Sequence, residues 1–124
     1  MTTKRILVCD DEGGILAIAQ LALQMQEGWE VITATSGQEA IAIAETEQPD
    51  AIVLDVMMPD LDGPATLELL RANPNTQSIP VIFLTAKTQD AEHHQLMNLP
   101  IAGILTKPFN PLTLGSKIAE ILRW

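Results

Sequence analysis

Residues 51–63 read AIVLDVMMPDLDG, and this stretch decides the class of fold. Four apolar residues in a row, Ala51 to Leu54, end on Asp55 and are followed by a loop rich in Asp, Pro and Gly. Continuous apolar runs of this kind are typical of strands that are buried on both faces of a parallel sheet. The stretch therefore predicts a central strand whose carboxyl end presents an aspartate.

On both sides of this strand, short apolar runs alternate with segments of helical spacing, five times along the chain. We predict strands at 6–9, 29–34, 51–54, 81–84 and 102–105. Helices are predicted at 15–25, between Ser36 and Pro49, and at 64–72, 89–97 and 112–122. Alternating strands and helices of this kind predict a three-layer α/β fold around a parallel sheet, with right-handed crossovers.

Composition and charge narrow the class of protein. The chain has 124 residues and a formal net charge of −9, which disfavours direct binding to nucleic acid or to anionic membranes. A single cysteine, Cys9, excludes an intramolecular disulfide and fits a reducing compartment, where we interpret it as a core thiol. No segment reads as a signal peptide or a membrane span. We expect one cytoplasmic domain over residues 1–124, without an effector domain.

Charged and hydroxyl side chains follow four of the five predicted strands. They are Asp10 with Asp11, Asp55, Thr85 and Lys107. Because the carboxyl ends of parallel strands meet at one edge of the sheet, we expect these side chains to lie together. Three neighbouring carboxylates repel one another, and Mg²⁺, which prefers oxygen ligands, relieves that repulsion. With a lysine beside the metal, the pattern indicates a site that handles a phosphoryl group.

The roles of the carboxylates follow from their positions. Asp55 stands alone on the central strand and is the candidate nucleophile, because aspartate can form an acyl phosphate. The adjacent Asp10 and Asp11 suit metal binding. Each residue also has a purely structural interpretation, since aspartate and threonine cap helices and Lys107 can be an ordinary solvated lysine. Their joint placement at four strand ends favours the site.

Four segments carry a resemblance to a known family, in the same order and spacing: ILVCDDE, IVLDVMMPDLDG, VIFLTAK and GILTKPF. With them the chain resembles the receiver domain of bacterial two-component response regulators, from about Lys4 to the last residue. The resemblance implies a flavodoxin-like (βα)5 fold with a five-stranded parallel sheet of strand order 2-1-3-4-5 and five helices.

The resemblance also implies how the acidic residues work. Asp55 accepts a phosphoryl group from the histidine of a sensor kinase or from a small phosphodonor. Asp11 binds Mg²⁺ directly, Asp10 assists through water, and Asp55 is itself a ligand. The backbone carbonyl of Met57 completes the protein ligands, so its side chain matters less than its position.

Two further residues receive roles from the resemblance. Thr85 is the switch hydroxyl that hydrogen-bonds a phosphoryl oxygen, and Lys107 pairs with another. The Lys107–Pro108 peptide bond is expected to be cis. We therefore expect a phosphoacceptor signalling module, not an enzyme beyond its own phosphorylation and dephosphorylation.

The expected partners are a sensor histidine kinase or phosphotransfer protein, and a downstream protein. The downstream protein is expected to bind the face formed by the fourth helix, fifth strand and fifth helix. The domain is expected to be a monomer or a weak dimer.

One departure from the family pattern keeps an alternative open. The position three residues before Lys107, aromatic in the family, is Ile104, which cannot make the same ring rotation. A phosphorylation-independent, receiver-like scaffold is therefore the alternative. A haloacid-dehalogenase-like phosphatase is disfavoured, because the second acid expected two residues after Asp55 is Met57. A flavodoxin is disfavoured because the acidic residues 10–12 would repel its phosphate.

Overall fold

The computed structural model describes residues 3–86 and 90–124, with residues 90–93 described by their backbone alone. Strands and helices alternate through these residues. The strands are β1 (Lys4–Cys9), β2 (Trp29–Ala34), β3 (Ala51–Asp55), β4 (Val81–Ala86) and β5 (Gly103–Lys107). The helices are α1 (Gly13–Gln24), α2 (Gly37–Glu47), α3 (Gly63–Ala72), α4 (Asp90–Met97) and α5 (Leu114–Leu122). Among the described residues, no helix has the length and apolar character needed to cross a membrane.

The strands form one parallel sheet of order β2-β1-β3-β4-β5. This confirms the predicted flavodoxin-like topology, with β3 at the centre. Every residue of β3 is buried, as its continuous apolar run predicted. The strand order reverses between β1 and β3, so the loops that follow them open a crevice at the carboxyl edge.

Two apolar clusters cover the two faces of the sheet. Residues that alternate along a strand belong to different clusters, so that Leu7 packs with α2 and α3 while Ile6 packs with α1 and α5. Burying large aliphatic side chains on both faces contributes roughly 1.5–3 kcal/mol for each side chain. This double burial makes β3 a rigid support for the residue at its end.

The element bounds differ from the sequence predictions in ways that matter for the site. The strands β3 and β4 extend through Asp55 and Thr85, so both residues are fixed by the sheet rather than by a loop. Helix α5 begins at Leu114 instead of residue 112, because a turn in which Asn110 accepts hydrogen bonds from the Leu112 and Thr113 amides precedes it. The predicted first residue of the fourth helix, Gln89, lies outside the described residues.

An aromatic contact joins the opposite edge of the sheet to the end of α5. The two tryptophans of the chain, Trp29 and Trp124, meet edge to face with ring centroids 5.4 Å apart and an interplanar angle of 89°. The Lys4 Nζ lies 5.0 Å from the Trp124 ring centroid. Through these contacts, the end of α5 packs against the amino-terminal ends of β1 and β2.

Candidate functional site

Three carboxylates and a lysine meet at the carboxyl edge of the sheet. Asp10, Asp11 and Asp55 each offer one oxygen, and these oxygens lie within 4.8 Å of one another. The Lys107 Nζ lies 2.9 Å from Asp10 Oδ2 and 3.2 Å from Asp55 Oδ1. The structure thus brings together the acidic residues and the lysine that the sequence analysis grouped.

The carboxylates differ sharply in exposure. Asp10 is 0% and Asp55 2% exposed, whereas Asp11 is exposed to solvent. The Asp10 amide donates to Ala34 O at 3.1 Å, and Asp10 Oδ1 accepts from the Glu12 amide at 2.9 Å. The backbone therefore holds Asp10 in place at the end of β1. Because Asp11 is exposed, the crevice is open to solvent on the side where this residue lies.

Burial and neighbouring charges together raise the pKa values of both Asp55 and Lys107. Burial, and next the charge of Asp10, raise the pKa of Asp55 from 3.8 to about 6, although Lys107 acts against this shift. Burial alone would lower the pKa of Lys107, but its contacts with Asp10 and Asp55 raise it by more. Lys107 therefore stays protonated, and the ionised form of Asp55 is costly in the absence of further positive charge.

The donor set fits a hard divalent cation. With every group ionised, three carboxylates and one ammonium leave two uncompensated negative charges. Among the described residues, Asp10 Oδ2 is buried without a hydrogen-bond partner, and the Lys107 ammonium is its ion-pair partner at 2.9 Å. Oxygen-only ligands with one side open to water suit Mg²⁺, which keeps several of its waters. The residues present thus fit the metal that the sequence analysis expected.

The loop after β3 lies beside these groups. The side chain of Met57 is 74% exposed and Met58 is buried, so the two adjacent methionines point to different surroundings. A backbone hydrogen bond from Met57 acts to lower the pKa of Asp55. The Asp62 side chain accepts from the Ala65 amide at 2.9 Å and caps α3. The loop is therefore tied to Asp55 at one end and to α3 at the other.

Thr85 and Ile104 lie on the two neighbouring strands β4 and β5. Thr85 is buried, and its hydroxyl donates to Ala86 O at 3.3 Å. Ile104 is half-buried and packs against the apolar cluster on the α2 and α3 face of the sheet. The strand register places Ile104 opposite Phe83, two residues before Thr85.

Cys9 precedes Asp10 at the end of β1, and its thiol contacts residues of the neighbouring loops. The sequence analysis placed the thiol in the core but did not identify these contacts. The Cys9 Sγ lies 3.2 Å from Ser36 O and 3.6 Å from Met58 Sδ. Burial, followed by the charge of Asp10, raises the pKa of the Cys9 thiol from 9.0 to about 12. The thiol is thus packed among the loops that follow β1, β2 and β3.

We expect Cys9 to be inert in the folded protein. Because the thiolate is the reactive form, a pKa near 12 should slow labelling by a thiol-specific disulfide reagent at pH 8 roughly a thousandfold. The labelling rate of native protein is to be compared with that of the same protein in guanidinium chloride. Equal rates in the two states would contradict the buried placement.

An apolar cleft opens next to the lysine, and the sequence analysis missed it. It measures about 320 Å³ and is lined by Ile15, Ile18, Lys107, Pro108, Phe109 and Pro111. The Lys107–Pro108 peptide bond on its wall is cis, as the resemblance implied. One signal in the sequence was available, because α1 carries no charged residue in a strongly acidic chain.

A parallel sheet of order β2-β1-β3-β4-β5, with an acidic crevice and a lysine at its carboxyl edge, defines the class: a flavodoxin-like domain with a candidate cation site. The family model for the response regulator receiver domain matches residues 6–119. The chain is similar to PhoP, the alkaline phosphatase synthesis transcriptional regulatory protein of Bacillus subtilis. The two are 42% identical over 120 residues, which cover 97% of this chain and 49% of PhoP. The probable transcriptional regulator ycf27 of Cyanophora paradoxa is also 42% identical over 120 residues, covering 97% of this chain and 48% of ycf27.

Solved structures show the same likeness. The chemotaxis response regulator CheY4 of Vibrio cholerae superposes with a TM-score of 0.88 at 32% identity, covering 97% of this chain and 99% of CheY4. A response regulator from Desulfuromonas acetoxidans gives a TM-score of 0.86 at 32% identity, with 97% of both chains covered. The chain therefore belongs to the response regulator receiver domain family of two-component systems. It spans about half the length of the curated relatives it matches.

Proposed function

We propose that the chain is a phosphoacceptor module in which Asp55 receives a phosphoryl group in a Mg²⁺-dependent reaction. The observation that carries the proposal is the buried Asp55 carboxylate at the end of the central strand, within 3.2 Å of the Lys107 ammonium and among the oxygens of Asp10 and Asp11. Membership of the receiver family supports the same role.

In the proposed reaction, an Asp55 carboxylate oxygen forms a bond to phosphorus. The bond that breaks joins phosphorus to the histidine nitrogen of a kinase or to the oxygen of a small acyl phosphate. The leaving group keeps the electron pair of that bond. The pKa near 6 leaves Asp55 largely ionised at neutral pH, so the nucleophile is available.

The remaining residues of the site stabilise charge. Asp10, Asp11, Asp55 and the Met57 carbonyl would hold the Mg²⁺, which when bound supplies positive charge next to the transferring group. Lys107 is proposed to move its ammonium from the free carboxylates to a phosphoryl oxygen. Thr85 would exchange its weak hydrogen bond to Ala86 O for one to another phosphoryl oxygen. That exchange is the proposed switch.

The donor is proposed to be a sensor histidine kinase or a phosphotransfer protein that docks over the apolar cleft beside Lys107. The cleft borders the lysine, and the adjoining surface of α1 leaves Ile18 and Leu21 exposed without any charge on the helix. An uncharged surface is where an acidic domain repels a partner least. The downstream partner is proposed to bind the face formed by α4, β5 and α5.

The proposal is tested by incubating the protein with acetyl phosphate and Mg²⁺, followed by intact-protein mass spectrometry. We expect one phosphoryl group per chain with Mg²⁺ and less than a tenth of that amount with EDTA. The modification should be lost slowly as the acyl phosphate hydrolyses, without turnover of generic phosphomonoesters. Absence of any mass increase in the presence of Mg²⁺ would contradict the proposal.

A second candidate is a scaffold that signals without phosphorylation, and Ile104 favours it. This half-buried, branched side chain packs in the core at the position of the family's aromatic switch residue. ¹H–¹⁵N NMR spectra of the protein before and after treatment with acetyl phosphate and Mg²⁺ separate the two, because a scaffold would keep identical amide chemical shifts in the α4 to α5 region whether or not Asp55 is modified.

A further inference from the structure

The loop that follows the phosphoacceptor strand is closed into a ring by Gly63. The Gly63 amide donates to Val56 O at 2.9 Å, joining the first residue of α3 to the residue after Asp55. Within the ring, the Leu61 amide donates to Pro59 O at 2.7 Å. The segment that includes Met57 therefore has both of its ends held at one place.

Gly63 approaches the backbone of the phosphoacceptor strand too closely for any side chain. A Cβ built on Gly63 would lie 2.8 Å from Val56 Cα and 2.9 Å from Asp55 O. It would also lie 3.4 Å from the ring of Phe83, which is fully buried on β4. The first two neighbours are backbone atoms, so they cannot move aside without displacing Asp55 or the loop. The requirement at Gly63 is space, since its φ is not in the left-handed region.

We propose that Gly63 is a positioning residue for the cation, an inference that rests on the proposed function. Contact of α3 with the Asp55–Val56 backbone sets the path of the loop, and with it the position of the Met57 carbonyl relative to the Asp55 carboxylate. Mg²⁺ demands near-ideal octahedral geometry at about 2.0–2.1 Å, so a carbonyl displaced by a few tenths of an ångström is a poor ligand. Any side chain at Gly63 should therefore weaken cation binding through the loop.

The test is a Mg²⁺ titration of Gly63→Ala, followed by the amide chemical shifts of the site in ¹H–¹⁵N NMR spectra. We expect the Kd for Mg²⁺ to rise at least tenfold, while phosphorylation by acetyl phosphate recovers at saturating Mg²⁺. Recovery of phosphorylation at high Mg²⁺ would show that the substitution weakens metal binding through the position of the loop. A general loss of folded protein would not be reversed by Mg²⁺ in this way.

Two alanine substitutions at other glycines serve as matched controls. A Cβ at Gly14 meets nothing within 4 Å, so Gly14→Ala should bind Mg²⁺ like the wild type. A Cβ at Gly103, at the opposite edge of the sheet, would lie 2.9 Å from Ile121 Cγ2. Gly103→Ala should therefore lose stability without losing Mg²⁺ affinity. Weakened binding in Gly103→Ala equal to that in Gly63→Ala would overturn the proposal.

A measurement on the wild type covers the case in which Gly63→Ala does not fold. Because cation binding and loop closure are linked, Mg²⁺ should slow hydrogen exchange of the Gly63 amide more than that of the Asn73 amide at the far end of α3. If the wild type binds Mg²⁺ but the exchange rate of the Gly63 amide is unchanged at saturating Mg²⁺, the positioning role of Gly63 is wrong. If the wild type binds no Mg²⁺ at all, the proposed Mg²⁺-dependent function is wrong instead.

Discussion

Asp55→Asn is expected to accept no phosphoryl group and, without divalent cations, to be more stable than the wild type at neutral pH. The first effect follows because an amide cannot form the acyl phosphate. The second follows from the raised pKa of about 6, since the folded state holds the Asp55 proton more tightly than the unfolded state. The stability that this proton provides is complete below pH 3.8 and is lost as the pH rises to about 6. That loss is on the order of 3 kcal/mol, which asparagine avoids.

The measurement is urea unfolding followed by circular dichroism between pH 4 and pH 8, in EDTA and again in Mg²⁺. The difference in unfolding free energy between variant and wild type should grow as the pH rises from 4 to 6 and then level off. Mg²⁺ should stabilise the wild type more than the variant, because the ionised Asp55 carboxylate is one of the proposed metal ligands. Asp60→Asn is the matched control: Asp60 is an exposed residue of the same loop whose φ of 68° asparagine tolerates. Similar pH profiles for Asp55→Asn and the wild type would contradict the buried, costly carboxylate.

Lys107→Met is expected to destabilise the metal-free protein by about 3 kcal/mol at pH 7. The ammonium is the cation within 3.2 Å of both buried carboxylates, and removing one partner of a buried ion pair typically costs roughly 3–5 kcal/mol. Methionine retains most of the side-chain volume, so the loss reports charge rather than packing. We expect acid to reduce the deficit, since protonation of Asp55, whose pKa is raised to about 6, relieves the repulsion, and Mg²⁺ to reduce it as well.

The same variant should still be phosphorylated on Asp55 in Mg²⁺, more slowly than the wild type, because the proposed role of Lys107 is to stabilise charge and not to act as the nucleophile. Lys117→Met is the control, since this lysine is exposed on α5. The unfolding free energies of the variants and the wild type, measured in EDTA and in Mg²⁺, give the loss of stability without and with the metal. A Lys107→Met protein as stable as Lys117→Met in EDTA would show that the buried carboxylates do not depend on the ammonium.

The sequence was sufficient to predict the fold because its strongest signals are local. The apolar run from Ala51 to Leu54 identifies a strand buried on both faces, and its repetition along the chain predicts the parallel sheet. The grouping of Asp10, Asp11, Asp55 and Lys107 followed from topology, because parallel strands bring their carboxyl ends to one edge. The roles of these residues remain predictions.

Other features of the site depend on packing that no local pattern encodes. Asp10 and Asp11 are adjacent in sequence, yet one is buried and the other exposed, because only Asp10 is held by the backbone between β1 and β2. The sequence places Gly63 in the loop after Asp55, but it does not show that a Cβ at Gly63 would meet backbone atoms whereas a Cβ at Gly14 would meet nothing within 4 Å. The cleft beside Lys107 likewise exists only once α1 and the segment after β5 are packed together.

The tryptophan pair lies at the opposite edge of the sheet from the acidic crevice. Lys4, the first residue of β1, is six residues before Asp10, which at about 3.3 Å per residue puts the indoles on the order of 20 Å from the candidate metal ligands. We therefore expect tryptophan fluorescence not to respond directly to ligand binding at Asp55. It should report instead whether helix α5 stays packed against the sheet. A change in tryptophan emission on phosphorylation would therefore require a conformational change that extends along the whole sheet. It would indicate long-range coupling and not quenching by a bound ligand.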